Sequence, residues 1–260
     1  MTKNPSSLLA LLFVLGGWCV PGSLAADAAP LKIGVTPVFP PVIYEEGGKI
    51  TGVETDFAKA LGEALGRPVE LVEVKWEDQI PALVDGRTDI IMSGMSVTHA
   101  RELRIAFSKP YLIVGQMALV RRADAYKYAL GFPGNPSGAI GVVKATTGDF
   151  LVQQEFSSNK RKEYKSGPDA AKALIKGRID LFICDAPTIW WLAGLHETDN
   201  LVAVPVFLSQ EPLAWGVRRS DTDLLNAVNA ALEKLQASGR ANQIIKHWIP
   251  LFQPQSGTKQ

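Results

Sequence analysis

The stretch Ala82-Leu83-Val84-Asp85-Gly86-Arg87-Thr88-Asp89-Ile90-Ile91-Met92, followed by Ser93-Gly94-Met95-Ser96, recurs further on. The second copy is Ala173-Leu174-Ile175-Lys176-Gly177-Arg178-Ile179-Asp180-Leu181-Phe182-Ile183, followed by Cys184-Asp185. Each copy reads as a helix end, a glycine stop and a short apolar run suited to a buried parallel strand. Ligands of open α/β sheets bind beyond the carboxyl ends of the strands. The repeat therefore predicts an α/β chain with two similar lobes, each presenting small polar groups to a shared cleft. A Gly-Arg-x-Asp sequence after a helix is also ordinary turn chemistry, and only its repetition in the same order favours two lobes.

Residues 1–25 read as a removable signal peptide: Lys3 is a basic start, Leu8 to Leu15 an apolar segment, and Ser23-Leu24-Ala25 a small-x-small cleavage pattern. Cleavage is expected near Ala25-Ala26, which gives an exported, periplasmic protein. Trp18 before Cys19 argues against a lipid anchor. No later segment is long and apolar enough to cross a bilayer. The whole chain carries a formal charge of +1, from 27 basic and 26 acidic side chains. Losing Lys3 with the leader leaves a neutral protein. With no basic stripe, nucleic acid is not an expected partner. Cys184 then stands alone, so no internal disulfide forms, and a lone thiol on a buried strand reads as an apolar filler.

Strand and helix patterns alternate from Leu31 to about Val217. Strands are predicted at Leu31–Val35, Val69–Val74 and Ala139–Val143, and helices at Thr55–Leu65, Gln79–Val84, Asp221–Ala237 and Arg240–Trp248. Tyr111 to Val120 is an apolar run suited to crossing between lobes, with Leu213 to Val217 as the return. Arg121 to Ser137, rich in Gly and Pro, reads as a surface excursion. The residues from Gln253 onward are polar and expected to fray.

Four places point toward a cleft. Ser93-Gly94-Met95-Ser96 leaves a strand, and Thr98 caps a helix that carries Arg101, a residue type able to hold a carboxylate with two parallel hydrogen bonds. Thr146-Thr147-Gly148 opens a helix whose free N–H groups favour an anion. Asp185 follows an apolar strand and can accept from an ammonium, or else cap the helix beginning near Pro187. Phe39 in Phe39-Pro40-Pro41 can pack on a ligand, or in the core. Together these groups complement an α-amino acid.

At this point the chain resembles the bacterial extracellular solute-binding proteins of family 3, the amino-acid-binding components of ABC importers. The likeness covers Leu31 to Phe252. It rests on Phe39-Pro40-Pro41, Gly52-Val53-Glu54-Thr55-Asp56, Ser93 to Arg101 with Thr98-x-x-Arg101, and Phe107-Ser108-Lys109-Pro110-Tyr111. It continues through Gly177-Arg178-Ile179-Asp180, Glu211-Pro212 and the terminal helix pair closing on His247-Trp248. The resemblance implies a two-lobed periplasmic binding protein type II fold. In it, residues 31–114 with 216–253 form a discontinuous first lobe and residues 115–215 an inserted second. It also implies hinge closure over the ligand, delivery to a membrane permease of an ABC importer, a monomer, no cofactor and no metal. Carried over, Arg101 clamps the carboxylate with the Ser96 and Thr147 N–H groups. Asp185 takes the ammonium, assisted by the Ser96 hydroxyl and the Gly94 carbonyl. Phe39 packs on the ligand side chain, Ser93 and Met95 shape the wall, and Thr146 belongs to the anion-binding turn.

Three departures bear on the ligand. Relatives that bind basic amino acids commonly have an acid where this chain has Thr36, and an aromatic ring where it has Val53. These two substitutions point to a neutral, aliphatic or small polar amino acid. Ala145 stands where glycine is frequent. Two other functions remain open: a dehydratase-like enzyme acting on cyclohexadienyl or arogenate substrates, with Glu211 as its inward acid, and a sensing module feeding a separate receptor. The absence of a membrane helix or kinase before Gln260 argues against a built-in sensor. No Ser-His-Asp order, metal spacing or phosphate loop occurs, and His99, His196 and His247 lie in unrelated contexts.

Overall fold

A computed structural model describes residues 29–252. The expected leader at 1–25 and the tail from Gln253 lie outside the described residues. Two five-stranded sheets share one order of strands. The first runs Val69–Glu73, Leu31–Val35, Ile90–Ile91, Gly216–Val217, Ala106–Phe107, and the second Lys160–Tyr164, Ala139–Val143, Leu181–Asp185, Gln116–Arg121, Leu201–Val204. In each, the first three strands are parallel and the fourth runs antiparallel to both neighbours. The repeat in the sequence is thus a repeat of whole lobes, with Ile90–Ile91 and Leu181–Asp185 at matching places.

The two copies are built alike. Gly86 and Gly177 end their helices at φ 76 and 64, a left-handed backbone that glycine adopts without a Cβ clash. The next N–H, of Arg87 or Arg178, donates to Ala82 or Ala173 at 2.9 Å. Asp89 accepts from the Lys32 N–H and Asp180 from the Ala139 N–H. An arginine on the antiparallel strand of each lobe, or just beyond it, then ties the turn together. Arg218 bonds Asp89 and the Thr88 carbonyl, and Arg121 bonds Asp180 and the Ile179 carbonyl. The Gly-Arg-x-Asp phrase is therefore a clip at the start of each strand. The opposite, carboxyl ends are left to face the cleft.

Leu112–Val114 pairs antiparallel with Glu211–Leu213, forming a two-stranded ribbon between the sheets. The outgoing passage falls inside the expected run. The return passage is Glu211–Leu213, whereas Gly216–Val217 already belongs to the first sheet. The ribbon is held there by hydrogen bonds from the Val97 N–H to Pro212 and the Ala214 N–H to Met95. The Arg121–Ser137 segment is less superficial than its composition suggests. Tyr128 is buried, and Phe132 packs on Tyr128 and Phe156 with ring centres 5.2 and 5.5 Å apart.

Candidate functional site

The carboxyl ends of the strands in the two lobes face one another. On the first lobe Gly94 turns at φ 64, and its N–H donates to the buried Glu54 carboxylate at 2.9 Å. Ser96 bridges to Leu213 through neighbours that make the hydrogen bonds. Its own N–H and carbonyl therefore point away from the hinge ribbon. The carbonyl accepts from Arg101 Nη1 at 2.7 Å, and the hydroxyl donates to Glu211 Oε2 at 2.7 Å. Thr98 Oγ1 caps the one-turn helix His99–Glu102 by accepting from the Arg101 N–H. The Arg101 guanidinium lies 5.3 Å over the Trp76 ring, an attractive cation–π arrangement.

On the second lobe Thr146 caps the helix Thr147–Glu155, its Oγ1 accepting from the Asp149 N–H. The Asp149 carboxylate returns to accept from the Ala145 N–H at 2.8 Å. The N–H groups of Thr147 and Gly148 have no acceptor within the helix and carry its positive end. Asp185 occupies the cap position of the helix Ala186–Leu195 but makes no capping bond. Its carboxylate accepts instead from Gln116 Nε2. Burial, then the neighbouring Glu211 charge, push Asp185 up to about 7; Gln116 and Arg101 oppose this. Burial also raises the Cys184 thiol well above its ordinary range, so it is inert as a nucleophile.

Phe39, Gly94, Ser96, Arg101, Thr146, Thr147 and Asp185 line one cavity between the lobes. Its free volume is about 20 Å³, so an amino acid enters only if the lobes part. Ser93 and Met95 are corrections, because both side chains are engaged inside the first lobe and do not reach the cleft. Gly94 and Ser96 reach the cleft. The Ser93 hydroxyl turns inward to accept from the Thr36 N–H at 2.7 Å, and Met95 packs with Leu83, Ile91 and Ile105. Thr36 bonds Val74 and Gln79, and Val53 lies in the core. Neither lines the cavity.

The sequence reading missed Val42, Trp76, Cys184 and Thr188, which complete the lining. Trp76 meets Phe39 edge-on, with ring centres 5.3 Å apart, and supplies the second aromatic wall that Val53 does not. It follows the strand Val69–Glu73 closely, so the strand-end argument used for Ser93–Ser96 applied to it equally. Roomier cavities lie elsewhere among the described residues. One, of about 310 Å³, is lined by Leu112, Trp190, Phe207 and Ile249, and an open groove of about 780 Å³ runs by Thr98 and Phe150. Neither of these two gathers opposite charges; another, of about 370 Å³ by Arg67, Asp89 and Asp221, does so on the first lobe alone, away from the cleft. Among the described residues no group of three or more His, Cys, Asp or Glu is placed to hold a metal, and no helix is long and apolar enough to cross a membrane.

The family model for bacterial extracellular solute-binding proteins, family 3, matches residues 31–251. The chain belongs to this family. The L-cystine-binding protein TcyJ of Escherichia coli (strain K12) is 28% identical over 230 residues, covering 86% of this chain and 84% of that protein. Among solved structures, the ancestral amino acid-binding protein AncCDT-1, a precursor of cyclohexadienyl dehydratase, is 30% identical with a TM-score of 0.76, covering 84% of this chain and 94% of that one. An ancestral arginine-binding protein bound to arginine is 28% identical with a TM-score of 0.77, covering 84% and 97%. The fold is that of type II periplasmic binding proteins.

Proposed function

We propose that the chain captures a neutral amino acid, with an aliphatic or small polar side chain, between its two lobes. The observation that carries this reading is one cavity lined by Arg101 from the first lobe and by Asp185 and the Thr147 helix start from the second. Arg101, the Ser96 N–H and the Thr147 N–H would hold the α-carboxylate, and Asp185 the α-ammonium. The ligand side chain would then lie against Phe39 and Trp76, near Thr188 and Cys184. Among the described residues, Arg101 and Asp185 are the only charged ones lining the cavity, and the α-groups use both. A third charge on the ligand would be buried without a partner, at a cost of several kcal/mol. The preference for a neutral side chain thus follows from the charges that line the cavity, where Thr36 and Val53 take no part.

Capture would begin on the first lobe, and closure would bring Asp185 and Thr147 to complete the shell. A ligand favours closure only by its greater affinity for the closed form. The closed, exported monomer would then dock on a membrane permease in the periplasm. The test is a thermal-shift panel on residues 26–260, freed of ligand by unfolding and refolding. It would hold the common L- and D-amino acids, small carboxylates, prephenate and arogenate. Stabilisation by neutral amino acids recovered unchanged supports the reading. Stabilisation by arginine or lysine alone overturns the neutral side chain. Turnover of prephenate or arogenate overturns the binding reading in favour of an enzyme.

A further inference from the structure

Gln116 is the first residue of the second sheet after the hinge strand Leu112–Val114 and the intervening Gly115. It is fully buried. Its amide nitrogen faces three acceptors: Thr147 Oγ1 at 3.1 Å, Glu211 Oε1 at 3.2 Å and Asp185 Oδ1. Asp185 is also its direct partner across the antiparallel strand pair. The backbone of Gln116 is tied to the return passage as well. Its N–H donates to Ser209 Oγ at 3.0 Å, and its carbonyl accepts from the Leu208 N–H at 2.8 Å. Ser209 in turn donates to Glu211 Oε1 at 2.6 Å. Gly148 at the helix start accommodates the same side chain, because a Cβ there would sit 2.6 Å from Gln116 Oε1.

An amide carries two N–H hydrogens, so these three acceptors compete for them. One acceptor would receive the ligand ammonium, one starts the return strand of the hinge, and one opens the anion-binding helix. We propose that Gln116 is a positioning residue that fixes the Asp185 carboxylate toward the cleft and couples ammonium capture to the hinge through Glu211. The proposal rests on the amino-acid reading of the site. The other charged or titratable groups bearing on Asp185 are Arg101, Glu211, Tyr111 and Cys184. None of them replaces the amide as a donor to its Oδ1 among the described residues.

The test compares the wild type with Gln116→Met, which keeps length without hydrogen bonds, and Gln116→Glu, which keeps shape. The probes are the L-amino acid that stabilises the wild type most in the panel above and its des-amino carboxylic acid. Gln116→Met should weaken the amino acid about tenfold or more, the scale of a hydrogen bond to a charged group, and leave the des-amino acid nearly unchanged. Gln116→Glu should bind better at pH 5 relative to wild type than at pH 8, because the introduced carboxyl, once protonated, can donate to Asp185 as the amide does. A ligand-free arm follows the Asp185 carboxyl by carbon NMR, and in Gln116→Met its titration should move to higher pH. Equal loss for both probes, pH profiles parallel to wild type, or an unmoved Asp185 titration would overturn the proposal. A wild type that binds no amino acid would sink the amino-acid reading instead, and the NMR arm would still decide the role of Gln116.

Discussion

The indole N–H of Trp76 donates to the carbonyl oxygen of Ala145 at 2.9 Å, joining the first lobe to the second across the cleft. The same ring carries the Arg101 guanidinium on its face and Phe39 at its edge. One side chain thus touches Arg101, Phe39 and the opposite lobe. Trp76→Phe keeps a ring and removes the donor. It should weaken ligand binding by roughly 0.5–1.5 kcal/mol, the net worth of one hydrogen bond, chiefly by favouring the open form. Titration calorimetry with small-angle scattering checks this: lower affinity with unchanged closure would show that the bond does not act on the hinge.

Ala145 presents that carbonyl from a left-handed backbone, at φ 60. A residue with a Cβ pays roughly 1–2 kcal/mol in that region, while glycine loses about 0.5–1 kcal/mol more chain entropy on folding. Ala145→Gly should therefore stabilise the protein by up to about 1 kcal/mol, and Ala145→Val should destabilise it by more. Urea midpoints with an unchanged slope would report this. A destabilised glycine variant would contradict the strain argument.

Arg101 cannot be replaced by lysine without loss. An ammonium has no planar fork to pair with a carboxylate, and it stacks less well on an indole. Arg101→Lys should weaken amino-acid binding by at least about 2 kcal/mol, with a melting temperature close to wild type. Retained affinity would remove Arg101 from the carboxylate clamp.

The fold was legible in the sequence because its cues are local. Glycine stops, apolar runs and cap residues mark the repeat, most helices and the capped helix start at Thr146. Seven of the nine candidate site residues meet in one cavity because strand ends and helix starts were read correctly. Ser93 and Met95 share that strand end with Gly94 and Ser96, and only their contacts inside the first lobe show that their side chains turn away from the cleft. Trp76 stands just past the carboxyl end of the strand Val69–Glu73, where the same strand-end signal existed, but only packing brings its ring beside Phe39 and Arg101. Gln116 sits inside an apolar run, where a lone amide looks like an ordinary interruption; only the pairing with Asp185 reveals its surroundings.

Asp185 sets two pH dependences of opposite sign. Its carboxyl rises from 3.8 to about 7 in the folded chain, so between those values the folded state holds a proton that the unfolded state has lost. Its contribution to stability is full below about 3.8 and fades as pH rises through about 7. Binding of an ammonium needs the ionised form, so affinity for an amino acid should instead fall as pH drops below about 7. Asp185→Asn should flatten the affinity profile and weaken amino acids while sparing ligands without an ammonium. Calorimetry from pH 5 to 8 decides, and an unchanged profile in the variant would assign the titration to another group.

Glu54 reaches three distant parts of the first lobe with one buried carboxylate. It accepts from the Gly94 N–H at 2.9 Å, the Tyr111 hydroxyl at 2.8 Å and the Trp215 indole N–H at 2.9 Å. Gly94 shapes the cleft wall, while Tyr111 and Trp215 flank the two hinge strands. Burial pushes Glu54 up to about 7 although all three donors favour the carboxylate. Glu54→Leu keeps much of the side chain's volume and leaves all three donors, the Gly94 N–H included, without an acceptor. The loss of a buried, charge-assisted bond is worth about 1.5–3 kcal/mol, and the variant should melt at a correspondingly lower temperature. Because Gly94 is released with it, amino-acid affinity should fall further than in a variant equally destabilised elsewhere in the core, such as Leu232→Ala. Equal affinities in those two variants would show that Glu54 serves the core alone, and that the Gly94 turn holds its shape without it.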